Sequence, residues 1–278
     1  SPPAFMKANG DMNHGGKLLP AFAEQWGACM AQYAAHYRDA GCKVRWMSVQ
    51  NEPAAVQTWD SCIYSAKEEG EFAARHLAPA LQAVGMDDID ILAWDHNKEA
   101  LLWRAAETLS VEGAQEAVAG FALHWYTGDH FEALRLFREL WPDRSLLFTE
   151  GCVEYSRFDG MSPLQKAEMY AHDILGNLNG GISASIDWNL LLDAKGGPNH
   201  VGNFCEAPLM LNAQADAFET KAEYGYIGQF SRYIRPGDTC VGASAYAAEI
   251  EVTAFARREG GCTVVLLNRT DAGHRVSI

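Results

Sequence analysis

The apolar positions keep two alternating rhythms along most of the chain. Short apolar runs bounded by polar turns predict buried strands over 44–49, 89–94, 118–123, 145–149 and 182–186. The segments between them carry helical spacing. Over 19–40, Phe22, Trp26 and Met30 recur at i, i+4 and i+8, with Tyr33 and Tyr37 on a neighbouring stripe and Gly41 placed to end the helix. Ser65 with Glu68 has the form of a capping box, opening a helix that runs to about Val84 with Pro79 as a potential kink. Further helices are predicted over 99–109, over 129–140 with Asp129 as cap, from Ser162-Pro163 to Asn179 before Gly180-Gly181, and over 219–233 before Pro236-Gly237.

Strand-then-helix repeats with short connections predict a parallel sheet, and each predicted strand ends in polar or aromatic residues. The expected fold class is α/β, a TIM-type barrel, whose chemistry is built from several strand ends on one edge. An open doubly wound sheet would want a glycine-rich phosphate loop, and the sequence has none. After Asp238 the rhythm changes: 249–255 alternates, 263–267 is a short apolar run, and Gly260-Gly261 lies between them. That is a hairpin pattern. The predicted domains are therefore a barrel over 1–237 and a small antiparallel β domain, without an evident finish, over 238–278.

The chain has 278 residues, 48% hydrophobic, enough for one large α/β domain with a small partner. With 36 acidic against 22 basic residues, the net charge of −14 argues against nucleic acid or an anionic membrane surface as a partner. No apolar run is long enough to span a membrane, so no stable membrane insertion is expected. The seven cysteines include no C-x-x-C pair, which predicts reduced thiols, a reducing compartment such as the cytoplasm, and no zinc site. Neither G-x-S-x-G nor H-E-x-x-H is present, and no cofactor is called for. Oligomeric state is left open.

Two strand ends carry the candidate chemistry. The 44–49 strand leads into Gln50-Asn51-Glu52-Pro53, and the 145–149 strand leads directly into Glu150. One carboxyl from each of two strands on the same edge is what two-carboxylate glycoside hydrolysis needs. The residues predict a retaining mechanism with Glu52 as acid/base and Glu150 as nucleophile, their carboxyls about 5–5.5 Å apart. Glu52 must then arrive protonated, so its surroundings should disfavour charge, whereas Glu150 must stay ionised. Asn51 is placed to bond a sugar 2-hydroxyl, and Tyr126 to donate to the nucleophile. His124 is either a hydrogen-bonded core histidine or a support for the pair. Trp188, Trp125 and Trp59 are candidate stacking platforms, Asn203 and Asn199 candidate hydroxyl ligands, and Asp95 and Asn97 candidate pocket wall.

These motifs together resemble glycoside hydrolase family 30, in its glucosylceramidase-like branch. The resemblance is carried by the opening Ser-Pro-Pro-Ala-Phe-Met-Lys, by Gln50-Asn51-Glu52-Pro53, His124-Trp125-Tyr126 and Phe148-Thr149-Glu150-Gly151-Cys152, and by the stretch from Ile186-Asp187-Trp188-Asn189-Leu190 to Cys205. It implies a (β/α)8 barrel with an attached β-sandwich, double displacement on Glu52 and Glu150, and sugar contacts from Asn51, Tyr126, Trp188 and Asn203. It suggests release of β-linked glucose from a glucoside or glucosylceramide-type lipid. A β-1,6-glucanase, a β-xylosidase or a non-catalytic carbohydrate-binding remnant are the alternatives. Phe5 stands where the family usually has Trp, which makes that sugar platform smaller. By the same comparison the chain begins where the third barrel strand ends, so it is expected to be part of a longer protein, poorly stable and weakly active alone.

Overall fold

The computed structural model describes residues 1–277. The chain divides into two compact units, Ser1–Thr149 and Glu150–Ile278.

In the first unit the predicted alternation is present. Its strands are β1 (Trp46–Ser48), β2 (Asp90–Asn97), β3 (Val118–His124) and β4 (Ser145–Glu150), adjacent in that order, with β4 continuing into the second unit through Glu150. β1 with β2 and β2 with β3 are parallel. Helices α2 (Ala66–Phe72) and α3 (Ala78–Ala83) lead from β1 to β2, α4 (Leu101–Leu109) and α5 (Ala114–Ala117) from β2 to β3, and α6 (Phe131–Leu140) from β3 to β4. Parallel neighbours need such crossovers, and the crossovers bring every strand's C-terminal end to one edge. Leu77, Leu81, Leu101, Phe121, Leu123, Leu134, Phe137, Leu146 and Leu147 are buried in the core of this unit. At Gly120 a side chain would strike the Ser145 carbonyl, so glycine sets how closely β3 lies against the start of β4.

Helix α1 (Ala23–Asp39) forms where the spacing predicts, and Gly41 follows it with φ 86°. The predicted Phe22, Trp26 and Met30 stripe is half-buried, and the most buried face lies beside it. Ala23, Gly27, Ala31 and Ala34 are inside, whereas Tyr33 and Tyr37 are exposed and stack on each other. The small residues permit close approach: a Cβ on Gly27 would lie 2.9 Å from the His76 carbonyl oxygen. The Ser65–Glu68 capping box is formed, with each side chain bonding the other's backbone N–H. Pro79 is accommodated by a π-helical turn, Ala73–Leu77, immediately before α3, a wider coil that avoids the clash a proline makes with the preceding turn. Asp129 is not the cap of α6. His130 occupies that position in a left-handed conformation, φ 43°, and no side chain caps the helix.

In the second unit α7 (Tyr155–Phe158) precedes α8 (Pro163–Asn179), which starts at a capping box between Ser162 and Gln165 and stops at Gly180-Gly181 as predicted. The strand expected over 182–186 shrinks to β6 (Ala184–Ser185), and Ile186 is exposed. The helix expected over 219–233 is α9 (Ala222–Ser231). Glu219 belongs instead to strand β10 (Ala217–Thr220), which pairs antiparallel with β9 (Leu209–Asn212), and β9 pairs parallel with β7 (Leu191–Asp193). Two short strands, β5 (Val153–Glu154) and β8 (Cys205–Glu206), pair antiparallel. The hairpin predicted after Asp238 is present as β12 (Ile250–Ala256) and β13 (Cys262–Asn268), extended by β11 (Thr239–Val241). Val265 and Leu267 of this sheet share a core with Ala171, Ile174 and Leu175 of α8 and Phe230 of α9. The last residue of the predicted 238–278 domain, Ile278, lies outside the described residues.

Candidate active site

At the C-terminal edge of the parallel strands the backbone departs from regular geometry in two places. Glu52, in the turn after β1, has φ 47°, and its N–H bonds the Asp95 carbonyl at 2.9 Å. On β2, Trp94 and Asp95 have φ 71° and 45°, and the register against β3 shifts between Trp94 and His96. Left-handed conformations are costly for residues with side chains and persist where the surroundings enforce them. Here Glu69 of α2 enforces the bulge. Its Oε1 accepts the Trp94 N–H at 3.0 Å, while its other oxygen pairs with Arg104, whose guanidinium stacks 4.4 Å from the Trp94 ring. The bulge turns Asp95 and His96 of one strand end toward the histidine of the next.

The result is a chain of buried polar groups within the first unit. His124 is fully buried at the end of β3, with Nδ1 3.3 Å from Glu52 Oε1 and Nε2 3.1 Å from Asp95 Oδ1. Asp95 Oδ1 also accepts the Thr149 hydroxyl at 2.7 Å. Gln57 donates to Glu52 Oε2 at 3.1 Å, and His96 Nε2 lies 3.7 Å from Oε1. The Gln57 loop is held in turn by Ser61, whose carbonyl accepts from the buried ammonium of Lys7 at 2.5 Å. Ionised carboxylates only accept, so two of them facing the two ring nitrogens of His124 require two protons. An imidazolium between two carboxylates satisfies this, and so does a neutral ring with one protonated carboxyl. Glu52, His124 and Asp95 therefore form one proton-sharing unit.

Burial pushes the Glu52 carboxyl up, but the hydrogen bond to His124, the charges of His96 and His124, and Gln57 together hold it below the usual carboxylate range. The expectation that its surroundings disfavour charge is thus corrected: desolvation acts that way and the two histidines outweigh it. Asp95 follows the same pattern, with burial opposed by His124, Thr149 and Ser48 and a net downward shift. For His96, burial dominates and lowers its affinity for a proton, against the pull of Glu52.

The other predicted residues divide by unit. In the first, Asn51 is exposed beside Glu52, and its carbonyl accepts from the Gln50 side chain at 3.0 Å. Tyr126 is half-buried, its N–H bonded to Asn97 Oδ1 at 2.9 Å and its ring edge-on to His124 at 6.1 Å. Asn97 is thus an anchor for the Tyr126 backbone as well as a wall. Trp125 is no open platform, because it is buried edge-on against Phe148. Trp59 is half-buried. Phe5, 63% exposed, packs edge-on against Phe22 and not on the Glu52–His124–Asp95 chain.

In the second unit, Glu150 closes β4 in a half-buried position. Trp188 is 55% exposed, its backbone fixed by the Gly151 carbonyl at 3.1 Å and by Asp187 Oδ1 at 2.9 Å. Asn199 spends its amide on the loop, accepting from the N–H groups of Val201 and Asn203 and donating to the Asn203 carbonyl at 2.5 Å, which leaves the half-buried Asn203 side chain as that loop's candidate ligand. Sequence reasoning gave no role to His96, Gln57, Thr149, Glu69 or Asp187. His96 was signalled by its place in a polar triplet at a strand end; Gln57 and Glu69 had no local signal, because loop and helix geometry alone bring them in. Burial raises the Asp187 carboxyl to about 7 against the hydrogen bonds from the Trp188 backbone and the Tyr170 hydroxyl.

The model of the Glycosyl hydrolase family 30 TIM-barrel domain matches residues 1–234. Putative glucosylceramidase 4 of Caenorhabditis elegans is 29% identical over 286 residues, 98% of this chain and 55% of that protein. Lysosomal acid glucosylceramidase of Mus musculus is 29% identical over 283 residues, 96% of this chain and 55% of that protein. Among solved structures, SrfJ from Salmonella typhimurium is 44% identical with a TM-score of 0.93, covering 97% of this chain and 60% of that one. The chain therefore spans little more than half the length of these curated relatives. No helix among the described residues is long and apolar enough to cross a membrane.

Proposed function

Because the chain belongs to glycosyl hydrolase family 30 and has the fold of its TIM-barrel domain, we propose that it is the catalytic part of a retaining β-glycosidase, with Glu52 as acid/base and Glu150 as nucleophile. The observation that carries the proposal is the buried Glu52–His124–Asp95 chain, held on a bulged, left-handed backbone at the C-terminal edge of parallel strands. Asp95 bonds Thr149, and Glu150 is the next residue along β4. In the proposed reaction Glu150 attacks the anomeric carbon while Glu52 protonates the departing oxygen. Water, activated by Glu52, then releases the sugar. The shared proton lets Glu52 act as an acid although its neighbours favour its charge: transfer from His124 to Glu52 yields a neutral ring and a carboxylic acid in one step. Exclusion of water by a bound sugar drives that transfer, because a buried site favours the two neutral groups over the ion pair.

The substrate proposed is a β-glucoside, with a glucosylceramide-type lipid first, as the names of the curated relatives suggest. A β-1,6-linked glucan is the second reading. It is favoured by 25% identity over 96% of the chain to the Endo-1,6-beta-D-glucanase of Neurospora crassa. The test is a 2-deoxy-2-fluoro-β-glucoside with an activated leaving group, followed by peptide mapping. A stable adduct on Glu150 is the expected result. Turnover without an adduct, or with inverted stereochemistry at the anomeric carbon, would falsify the double-displacement reading. Comparing the glycolipid with the β-1,6-glucan separates the two substrates.

A further inference from the structure

Two buried thiols in the second unit take no part in the proposed reaction. Cys152 Sγ and Cys205 Sγ lie 3.5 Å apart, and both side chains are buried. They belong to neighbouring segments. Cys152 directly precedes β5, Cys205 opens β8, and these strands pair antiparallel through Val153 with Glu206 and Glu154 with Cys205. The remaining cysteines are not so placed: Cys29, Cys42, Cys240 and Cys262 are exposed, and Cys62 is buried in the first unit.

We infer that Cys152 and Cys205 are a peroxide-oxidisable dithiol, which closes to a disulfide between β5 and β8. The sulfurs must approach to about 2.05 Å, a closure of roughly 1.5 Å. Rotation of the side chains and a small shift of the loop before β8 supply it. That loop, Gly197 to Phe204, contains Gly202 with φ 78° and no atom within 4 Å of where a Cβ would stand, and it is exposed over most of its length. The roles of the two sulfurs follow from their hydrogen bond. The Cys152 thiol donates to Cys205, favouring a thiolate there, and burial opposes this less strongly. Cys205 is therefore the attacking sulfur. Its thiolate displaces hydroxide from hydrogen peroxide to give a sulfenic acid. Cys152 then attacks that sulfur, and its thiol proton leaves with the sulfenic oxygen as water. In sum, two thiols and one peroxide give one disulfide and two waters. The bridge would fasten the loop that carries Asn203 to the segment just beyond Glu150.

The experiment uses the whole chain. The exposed cysteines are first alkylated on the native protein, dilute hydrogen peroxide is added, and the protein is denatured and labelled with a second alkylating agent of different mass. The expected result is loss of two second-label sites, a mass decrease of about 2 Da, and a linked peptide pair containing Cys152 and Cys205, with Cys62 still labelled. Cys152→Ser should leave a dimedone-reactive sulfenic acid on Cys205, and Cys205→Ser should abolish peroxide sensitivity at Cys152. Second labelling of Cys152 and Cys205 after peroxide, or oxidation of Cys205 past sulfenic acid with Cys152 still free, would overturn the inference. None of these readouts requires glycosidase activity, so the outcome is independent of the function proposed above.

Discussion

Asp95→Asn is the substitution that tests the proton-sharing chain most directly. It keeps the shape and removes the charge. Asp95 accepts from His124 at 3.1 Å and from Thr149 at 2.7 Å through the same oxygen, the first contact buried and the second partly so. A hydrogen bond to a charged buried group is worth about 1.5–3 kcal/mol. Losing the charged character of the His124 contact should therefore cost about 2–3 kcal/mol of transition-state stabilisation, or about 30–150-fold in kcat. The pH profile gives a second reading. In the native protein the positive charge on His124 helps hold Glu52 low. Without Asp95 opposite, that charge is less stable, so the Glu52 carboxyl should rise. The acid must be protonated to act, so the alkaline limb of kcat should move to higher pH. Because the folded state depresses its pKa, Asp95 contributes stability above the ordinary carboxylate range, stability that is lost as pH falls through the depressed value. The variant should thus unfold at a lower temperature near neutrality, and kcat is to be measured well below that midpoint. Hydrolysis of an aryl β-glucoside across pH 4–9 is the assay. A variant within about threefold of the parent, with an unmoved alkaline limb, would refute the idea that Asp95 acts through His124 on Glu52.

Glu52→Ala should lower kcat about 100–10,000-fold for alkyl glucosides and much less for an activated aryl glucoside, whose leaving group needs no proton. Glu150→Ala should abolish turnover of both, and added azide should restore it with formation of a glycosyl azide of inverted configuration. Asp187 is raised from 3.8 to about 7 in the fold, so its contribution to stability is present below about 4 and is lost as pH rises towards 7. Asp187→Asn should remove that dependence, and its melting temperature relative to the parent should increase between pH 4.5 and 7.5; an unchanged difference would show that burial of Asp187 is not the cause. Gly27→Ala places a methyl 2.9 Å from the His76 carbonyl and should cost about 1–3 kcal/mol, read as a lower melting temperature.

What the sequence made legible, and what it left hidden, follows from how far each feature reaches along the chain. The four strands of the first unit, the Ser65 and Ser162 caps and the stop at Gly180-Gly181 are decided within a few residues, where apolar runs and hydrogen-bonding side chains act locally. The placement of Glu52 and His124 after or at strand ends was readable for the same reason. Helix α1 shows where local reading stops: its aromatic stripe is the larger apolar signal, yet the small-residue face packs, because close approach to His76 is a property of the neighbouring turn. Strand β10 was hidden by Glu219 and Thr220, polar residues that pair only because β9 lies opposite. The electrostatic surroundings of Glu52 were misjudged in the same way. Burial is foreseeable from an apolar strand, but its counterweight comes from His96 on β2 and His124 on β3, 44 and 72 positions further along the chain. The Trp94–Asp95 bulge that aims them is pinned by Glu69 from a helix, so the acid's electrostatics are written in the packing of α2 against β2 as much as in the strand end that bears the carboxyl.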